Sequence, residues 1–233
     1  MPKTKSQVET KVEEAEPEVS LKVIFESLPK KGKVLLAIAA VLVAGLAAWF
    51  SVYSLGYSLN ALLLFIIICI FVTLSFIDQA TMIIPNYFHF LILACAVASW
   101  WFGIYEVSLG SRIIGIFVVS VPMYIITCLT GGFGGGDIKL MAAAGALLGA
   151  KGVACAFFVG VFAAAIYCIY LLVYALVAII SKKASSFKEG MNAAMKTPFA
   201  FGPYLSLGII VSYLYVDQIL FWYLSTFMPG FGA

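Results

Sequence analysis

The run Leu59-Asn60-Ala61-Leu62-Leu63-Leu64-Phe65-Ile66-Ile67-Ile68-Cys69-Ile70-Phe71-Val72-Thr73-Leu74-Ser75-Phe76-Ile77 carries no charge and stops at Asp78-Gln79. As a helix at 1.5 Å per residue it measures about 28 Å, close to the hydrocarbon thickness of a bilayer. It lacks the apolar-polar alternation of a barrel strand. Similar segments lie on either side, at roughly 34–55, 86–105, 112–130, 137–150, 152–180 and 203–224. The breaks between them fall at Gly56, Pro85-Asn86, Gly110-Ser111, the run Gly131 to Gly136, Lys151-Gly152 and the polar stretch 181–197. The segment 137–150 is short for a span, at about 21 Å. The next, 152–180, either crosses with strong tilt or bends at Gly160. The expected fold is an all-α, polytopic membrane protein with about seven spans.

Composition agrees. Apolar residues make up 64% of the 233 and charged residues 11%, against about 45–50% and about 25% in soluble domains. The mean hydropathy is +1.09. Too little polar surface is available to cover a soluble globule. Soluble enzymes, secreted disulfide scaffolds and nucleic-acid-binding domains are excluded on this ground. Cys69, Cys95, Cys128, Cys155 and Cys168 are scattered through apolar runs without a C-x-x-C pair. They read as small buried hydrophobes rather than disulfides or a zinc site.

Of the 25 charged residues, 13 lie in the first 33 positions. Residues 1–33 therefore read as a polar cytoplasmic tail. Leu21, Ile24, Phe25 and Leu28 follow helical spacing between Ser20 and Pro29, which predicts a short interfacial helix over 20–28. The run 34–55 is too long and too late for a cleaved signal peptide and reads as an extra N-terminal transmembrane helix. Lys30, Lys31 and Lys33 before it place the N-terminus in the cytoplasm. With seven spans the loops at 78–85, 131–137 and 181–197 share that side, and the last carries four lysines. Arg112 and Lys151 are then the only cations outside, where the C-terminus also lies.

An ionisable group in or beside hydrocarbon is costly and calls for a reason. Glu106 and Glu189 fall in loops, and Asp217 sits late in the last segment, near the outer interface. Asp78 and Asp137 differ: the topology puts both at cytoplasmic span ends, 59 positions apart in the chain. Two carboxyls facing one water can divide the work of peptide hydrolysis, one as general base and the other as general acid. The alternative for each is a helix cap or a lysine partner. Asp78 heads Asp78-Gln79-Ala80-Thr81-Met82-Ile83-Ile84-Pro85-Asn86, in which Ile-Pro-Asn opens the next helix. Asp137 closes Gly131-Gly132-Phe133-Gly134-Gly135-Gly136-Asp137 and is followed by Ile138-Lys139-Leu140. Glycines there allow positive φ and close approach of another segment. No Gly-Lys-Ser/Thr follows, so a phosphate loop is not indicated.

Asp78 with Ile84-Pro85-Asn86, and Gly134-x-Gly136-Asp137 with Lys139-Leu140, resemble the type IV prepilin peptidases, the GxGD membrane aspartic proteases. Pro198-Phe199-Ala200-Phe201-Gly202-Pro203-Tyr204-x-x-x-Gly208 resembles the stretch that opens the family's last helix. The similarity spans about 59–224, the six-helix core, and leaves the tail and the helix 34–55 outside it.

The resemblance implies cleavage of the short basic leader of prepilin-like membrane precursors at the cytoplasmic membrane face. The cut falls just before the precursor's own hydrophobic helix and usually after a glycine. Asp78 and Asp137 would be the catalytic pair, with no metal or cofactor. Gly134, Gly136, Pro85, Asn86, Lys139 and Pro203 would shape the approach to them. Larger members carry a four-cysteine zinc loop and also N-methylate the product. Without a C-x-x-C pair or a long cytoplasmic loop, this chain is similar to the compact peptidases of tight-adherence pili or of archaeal preflagellins, and methyltransferase activity is not expected.

Two other readings compete. A small proton or cation transporter would carry its acids near mid-membrane, often within an inverted repeat. A presenilin-like protease would carry its first aspartate in a Tyr-Asp pair, whereas Ile77 precedes Asp78. Asp78 ends its helix and Asp137 begins one, so the helix dipoles assign Asp137 as base and Asp78 as acid. Lys139, about 200° around the helix from Asp137, is expected to snorkel to the surface. His89 reads as an interfacial histidine that could also approach the pair. Trp49, Trp100, Trp101 and Trp222 are expected near outer span ends. The identity of the precursor and the oligomeric state are not legible.

Overall fold

A computed structural model describes residues 30–180 and 199–227. The interfacial helix at 20–28, the lysine-rich stretch 181–197, Pro198 and the C-terminal residues 228–233 lie outside the described residues. The chain divides into two compact units, 1–39 and 40–233, and all that follows concerns the second.

Seven helices are described: α1 (Lys30–Leu55), α2 (Leu59–Thr81), α3 (Asn86–Trp101), α4 (Leu109–Val118), α5 (Ser120–Thr130), α6 (Gly135–Ile180) and α7 (Gly202–Phe227). No strand occurs among the described residues. Four stretches are long and apolar enough to cross a membrane: Leu59–Thr81, Leu109–Thr130, Gly135–Val177 and Gly202–Thr226. Leu42–Leu55 and Asn86–Trp101 are shorter apolar helices. The outer surface of these helices is apolar, with Phe158, Phe162, Phe221 and Trp222 exposed. Together with the composition, this makes the chain a polytopic helical membrane protein.

Local chemistry explains the helix ends. Ser58 caps α2, its Oγ accepting from the Ala61 N–H at 3.1 Å. At the other end Met82 takes a left-handed conformation (φ 56°), and its N–H donates to the Asp78 carbonyl at 2.8 Å. Pro85 caps α3 with φ already at −63°, so Ile-Pro-Asn does open a helix. Along α2, Leu64, Ile67, Phe71 and Leu74 form a fully buried stripe.

The core is organised around α6, which packs against α3, α4, α5 and α7, while α7 also packs on α2. Small residues permit the closest crossings. A Cβ on Gly115 of α4 would lie 2.5 Å from the Gly145 carbonyl oxygen of α6, and Gly208 of α7 abuts the backbone of Ala156 and Gly160 on α6. In lipid, where burial of apolar surface gives little, such backbone-to-backbone packing supplies much of the association.

Three expectations need correction. The break expected at Lys151-Gly152 falls at Gly149, whose φ of 73° and ψ of 179° only glycine adopts cheaply. Gly160 does not bend α6; it gives room for Tyr204 and Leu205 of α7. Arg112, read as a cation outside the membrane, is 4% exposed and buried among helices.

The break and the arginine explain each other. Breaking a helix leaves carbonyls and N–H groups without partners. Arg112 Nη1 donates to the Ala146 and Leu147 carbonyls at 3.0 Å each, and Ser111 Oγ accepts from the Ala150 N–H at 3.1 Å. The first piece of α6, residues 135–148, is thus a half-length helix of about 21 Å, with Asp137 at its start.

Candidate active site

Asp78 lies in the last turn of α2 and is only 5% exposed. Its Oδ2 accepts from the Gly202 N–H at 2.9 Å. Gly202 is the first residue of α7, so the carboxyl of one helix end occupies the N-terminus of another. A Cβ on Gly202 would sit 2.5 Å from Asp78 Oδ2, which leaves glycine as the residue that fits there.

Asp137 is half-buried in the first turn of α6. Its N–H donates to the Gly134 carbonyl at 3.1 Å, and the Gly134 backbone hydrogen-bonds its carboxylate in return. A Cβ on Gly134 would stand 3.3 Å from Asp137 Oδ2. The two carboxyls are close enough for their charges to act on one another.

The glycine run therefore serves approach more than conformation. Within it only Gly131, which ends α5, has positive φ (68°). Gly136 lies under Ile84, whose Cβ would be 3.0 Å from a side chain placed there. This seats the loop between Asp78 and Pro85 directly on the Asp137 turn.

Two further contacts bind α3 to that turn. His89 Nε2 lies 3.1 Å from the Gly136 carbonyl oxygen, with the ring 7% exposed. Of the two readings of His89, the contact fits its approach to the pair, since one turn past Pro85 its ring points back at the residue before Asp137. Lys139 is exposed, as expected of a snorkelling side chain, and its Nζ donates to Asn86 Oδ1 at 3.3 Å. Pro203 occupies the first turn of α7, next to Gly202.

Phe133 was missed as a site residue. Its ring meets that of Phe201 at a centroid distance of 5.6 Å, and Phe199 packs on Phe201 at 6.3 Å and on Tyr204 at 5.4 Å. Each glycine-rich motif carries its own aromatic residue, and that shared feature was the available signal. The rings clamp the Asp137 loop to the start of α7.

The dipole assignment does not carry over. Asp78 ends α2, where the field is negative, but it also sits at the N-terminus of α7, where the field is positive. Sequence shows only the first of these. Among the described residues no group of three or more His, Cys, Asp or Glu side chains is placed to hold a metal ion.

The class defined so far is a helical membrane protein that seats one buried carboxyl at the start of another helix and holds a second, from a distant segment, within reach of its charge. Residues 63–169 match the type IV leader peptidase family. This segment contains Asp78 and Asp137, and through it the chain is similar to that family. It is 29% identical over 178 residues to the "Prepilin leader peptidase/N-methyltransferase" of Bacillus subtilis (strain 168), covering 73% of this chain and 62% of that protein. To the protein of the same description from Aeromonas salmonicida (strain A449) it is 31% identical over 165 residues, covering 68% and 51%. The Aeromonas hydrophila protein, also so described, is 30% identical with the same coverage. The chain thus spans between half and two thirds of the length of these relatives. No solved structure matches it.

Proposed function

We propose that this protein is an aspartic endopeptidase that removes the leader from prepilin-like precursors, with Asp78 and Asp137 as its catalytic carboxyls. The observation that carries the reading is the convergence of Asp78, Asp137 and the Gly202 N–H, drawn from three separate helices.

The chemistry follows from two carboxyls and one water. One carboxylate takes a proton from water as its oxygen attacks the scissile carbonyl carbon. The other, protonated, gives its proton to the carbonyl oxygen, forming a neutral diol. As the C–N bond breaks, the first carboxyl gives its proton to the leaving amine nitrogen, and the second carboxylate takes one back from a diol hydroxyl, leaving the new carboxylic acid and restoring the pair. Which aspartate starts as base stays open, because both stand at helix N-termini.

The lysine distribution supports a cytoplasmic N-terminus, seven spans, and an active site on the cytoplasmic face. We read residues 59–224 as the peptidase core and 34–55 as an added span. The relatives' shared description includes N-methyl transfer; the lack of a C-x-x-C pair favours peptidase activity alone here.

The test is co-expression of a prepilin precursor with wild type, Asp78→Asn and Asp137→Asn, read by mass spectrometry of the precursor's N-terminus. Wild type should yield the shortened product and both variants the intact precursor. Processing by either variant would remove the pair as the catalytic centre.

A further inference from the structure

A groove of about 260 Å³ runs between α2 and α7, with Phe71, Val72, Phe76, Leu207 and Ile210 among its walls. Its two ends differ. At one end lie Gln79 and Pro203, the residues that follow Asp78 and Gly202. The groove thus begins where the Asp78 carboxylate meets α7 and becomes apolar as it leaves.

Ser206 supplies a second observation. It lines the groove, is 3% exposed, and its Oγ has no hydrogen-bond partner. A buried hydroxyl in apolar surroundings is costly to leave unmet. Ser206 follows Gly202 by four residues, about 6 Å along α7. The face that presents the Gly202 N–H to Asp78 therefore presents an open hydroxyl one turn further on.

From these features we infer that the α2–α7 groove seats the apolar helix of the peptide substrate. The inference rests on the peptidase reading and adds to it a docking path. A chain that is polar before its cut site and helical and apolar after it matches the groove end for end. Its scissile peptide would lie at Asp78 and its first apolar turns between Val72 and Leu207, with a backbone carbonyl within reach of Ser206. A lipid chain would satisfy the apolar walls but offers no acceptor to the hydroxyl and needs no opening beside a carboxyl.

Two measurements test this on the full chain in liposomes. In the first, a benzophenone amino acid replaces Leu207 in the Asp137→Asn chain, and a single-span prepilin precursor is added. The same label at Ile114 of α4, which is as exposed as Leu207, is the control. Crosslinks to the precursor's apolar helix from position 207 but not 114 are expected. Crosslinks only to lipid or to a second copy of the chain would overturn the inference.

In the second, Leu207→Trp and Ser206→Val fill or blunt the groove. Each should lower kcat/KM for the precursor at least tenfold. Cleavage of a short soluble peptide that spans the cut but lacks the helix should stay unchanged, and Ile114→Trp should affect neither substrate. Equal losses on both substrates, or no loss on either, would overturn the groove. If wild type cuts neither substrate yet position 207 still crosslinks to the precursor, the peptidase reading fails and the docking path stands.

Discussion

Two polar centres are buried in this membrane protein, at the two ends of the first piece of α6, where Asp137 and the Leu147 carbonyl stand about 15 Å apart along the helix. At one, Arg112 donates to six acceptors: the carbonyls of Val107, Ala96, Ala146, Leu147 and Tyr105, and the hydroxyl of Ser99. Beside it Tyr105 stacks on Tyr213 at 4.8 Å, and the Tyr213 hydroxyl meets Asn60 Oδ1. Burial first, then the nearby Asp217 charge, pushes the Tyr105 hydroxyl up to about 12, with Arg112 opposing, so it stays neutral. At the other centre, Asp78 receives one N–H and Asp137 sits in a turn of glycines. A guanidinium whose five N–H groups are all used has no capacity left and serves structure. A carboxylate holds about four acceptor sites, and among the described residues Asp78 and Asp137 each receive one backbone donor, which under the proposed reading leaves capacity for water and substrate.

This contrast can be broken most sharply at the carboxyls. Asp78→Asn or Asp137→Asn should lower precursor cleavage by about 10³-fold or more, with the thermal midpoint in detergent retained; a large loss of stability with residual cleavage would reverse the roles. The converse belongs to Arg112→Met, which leaves the carbonyls at the α6 break unmet. It should cost about 3–5 kcal/mol, seen as a lowered unfolding midpoint, while kcat per folded molecule changes little. Gly202→Ala puts a methyl against Asp78 and should cost about 1–3 kcal/mol of steric strain. Its signature is a fall in kcat rather than a rise in KM, measured on purified protein. The smallest expected effect is at His89. Loss of its contact with Gly136 in His89→Ala should reduce kcat by about tenfold, consistent with about 0.5–1.5 kcal/mol for one hydrogen bond. His89→Gln, which can still reach the carbonyl, should restore most of it.

How far the sequence could be read depended on whether a feature was local. Asp78, Pro85 and the Gly134–Asp137 turn were visible because motif and helix end coincide in a few residues. The helical membrane fold was visible because uncharged runs of span length have few other uses. The Gly202–Asp78 bond joins residues 124 apart and leaves no local trace beyond an unexplained glycine. Arg112 was misplaced because a cation next to Gly110-Ser111 looks like loop, and nothing nearby reveals the carbonyls of α6 that it serves. The Gly149 break was put at Lys151-Gly152 because a charge beside a glycine is the louder signal. Neither residue adopts positive φ, whereas Gly149 does.

The interrupted α6 has a consequence for how the protein meets membranes of different thickness. A helix that spans a bilayer by itself shifts or tilts as the lipid thins or thickens. The piece bearing Asp137 ends at Gly149 and is gripped there by a neighbouring guanidinium, so protein contacts rather than acyl-chain length set its height. Spacing between the two acids would then vary little from one lipid composition to another, as in an instrument mounted on its own bracket instead of on the wall.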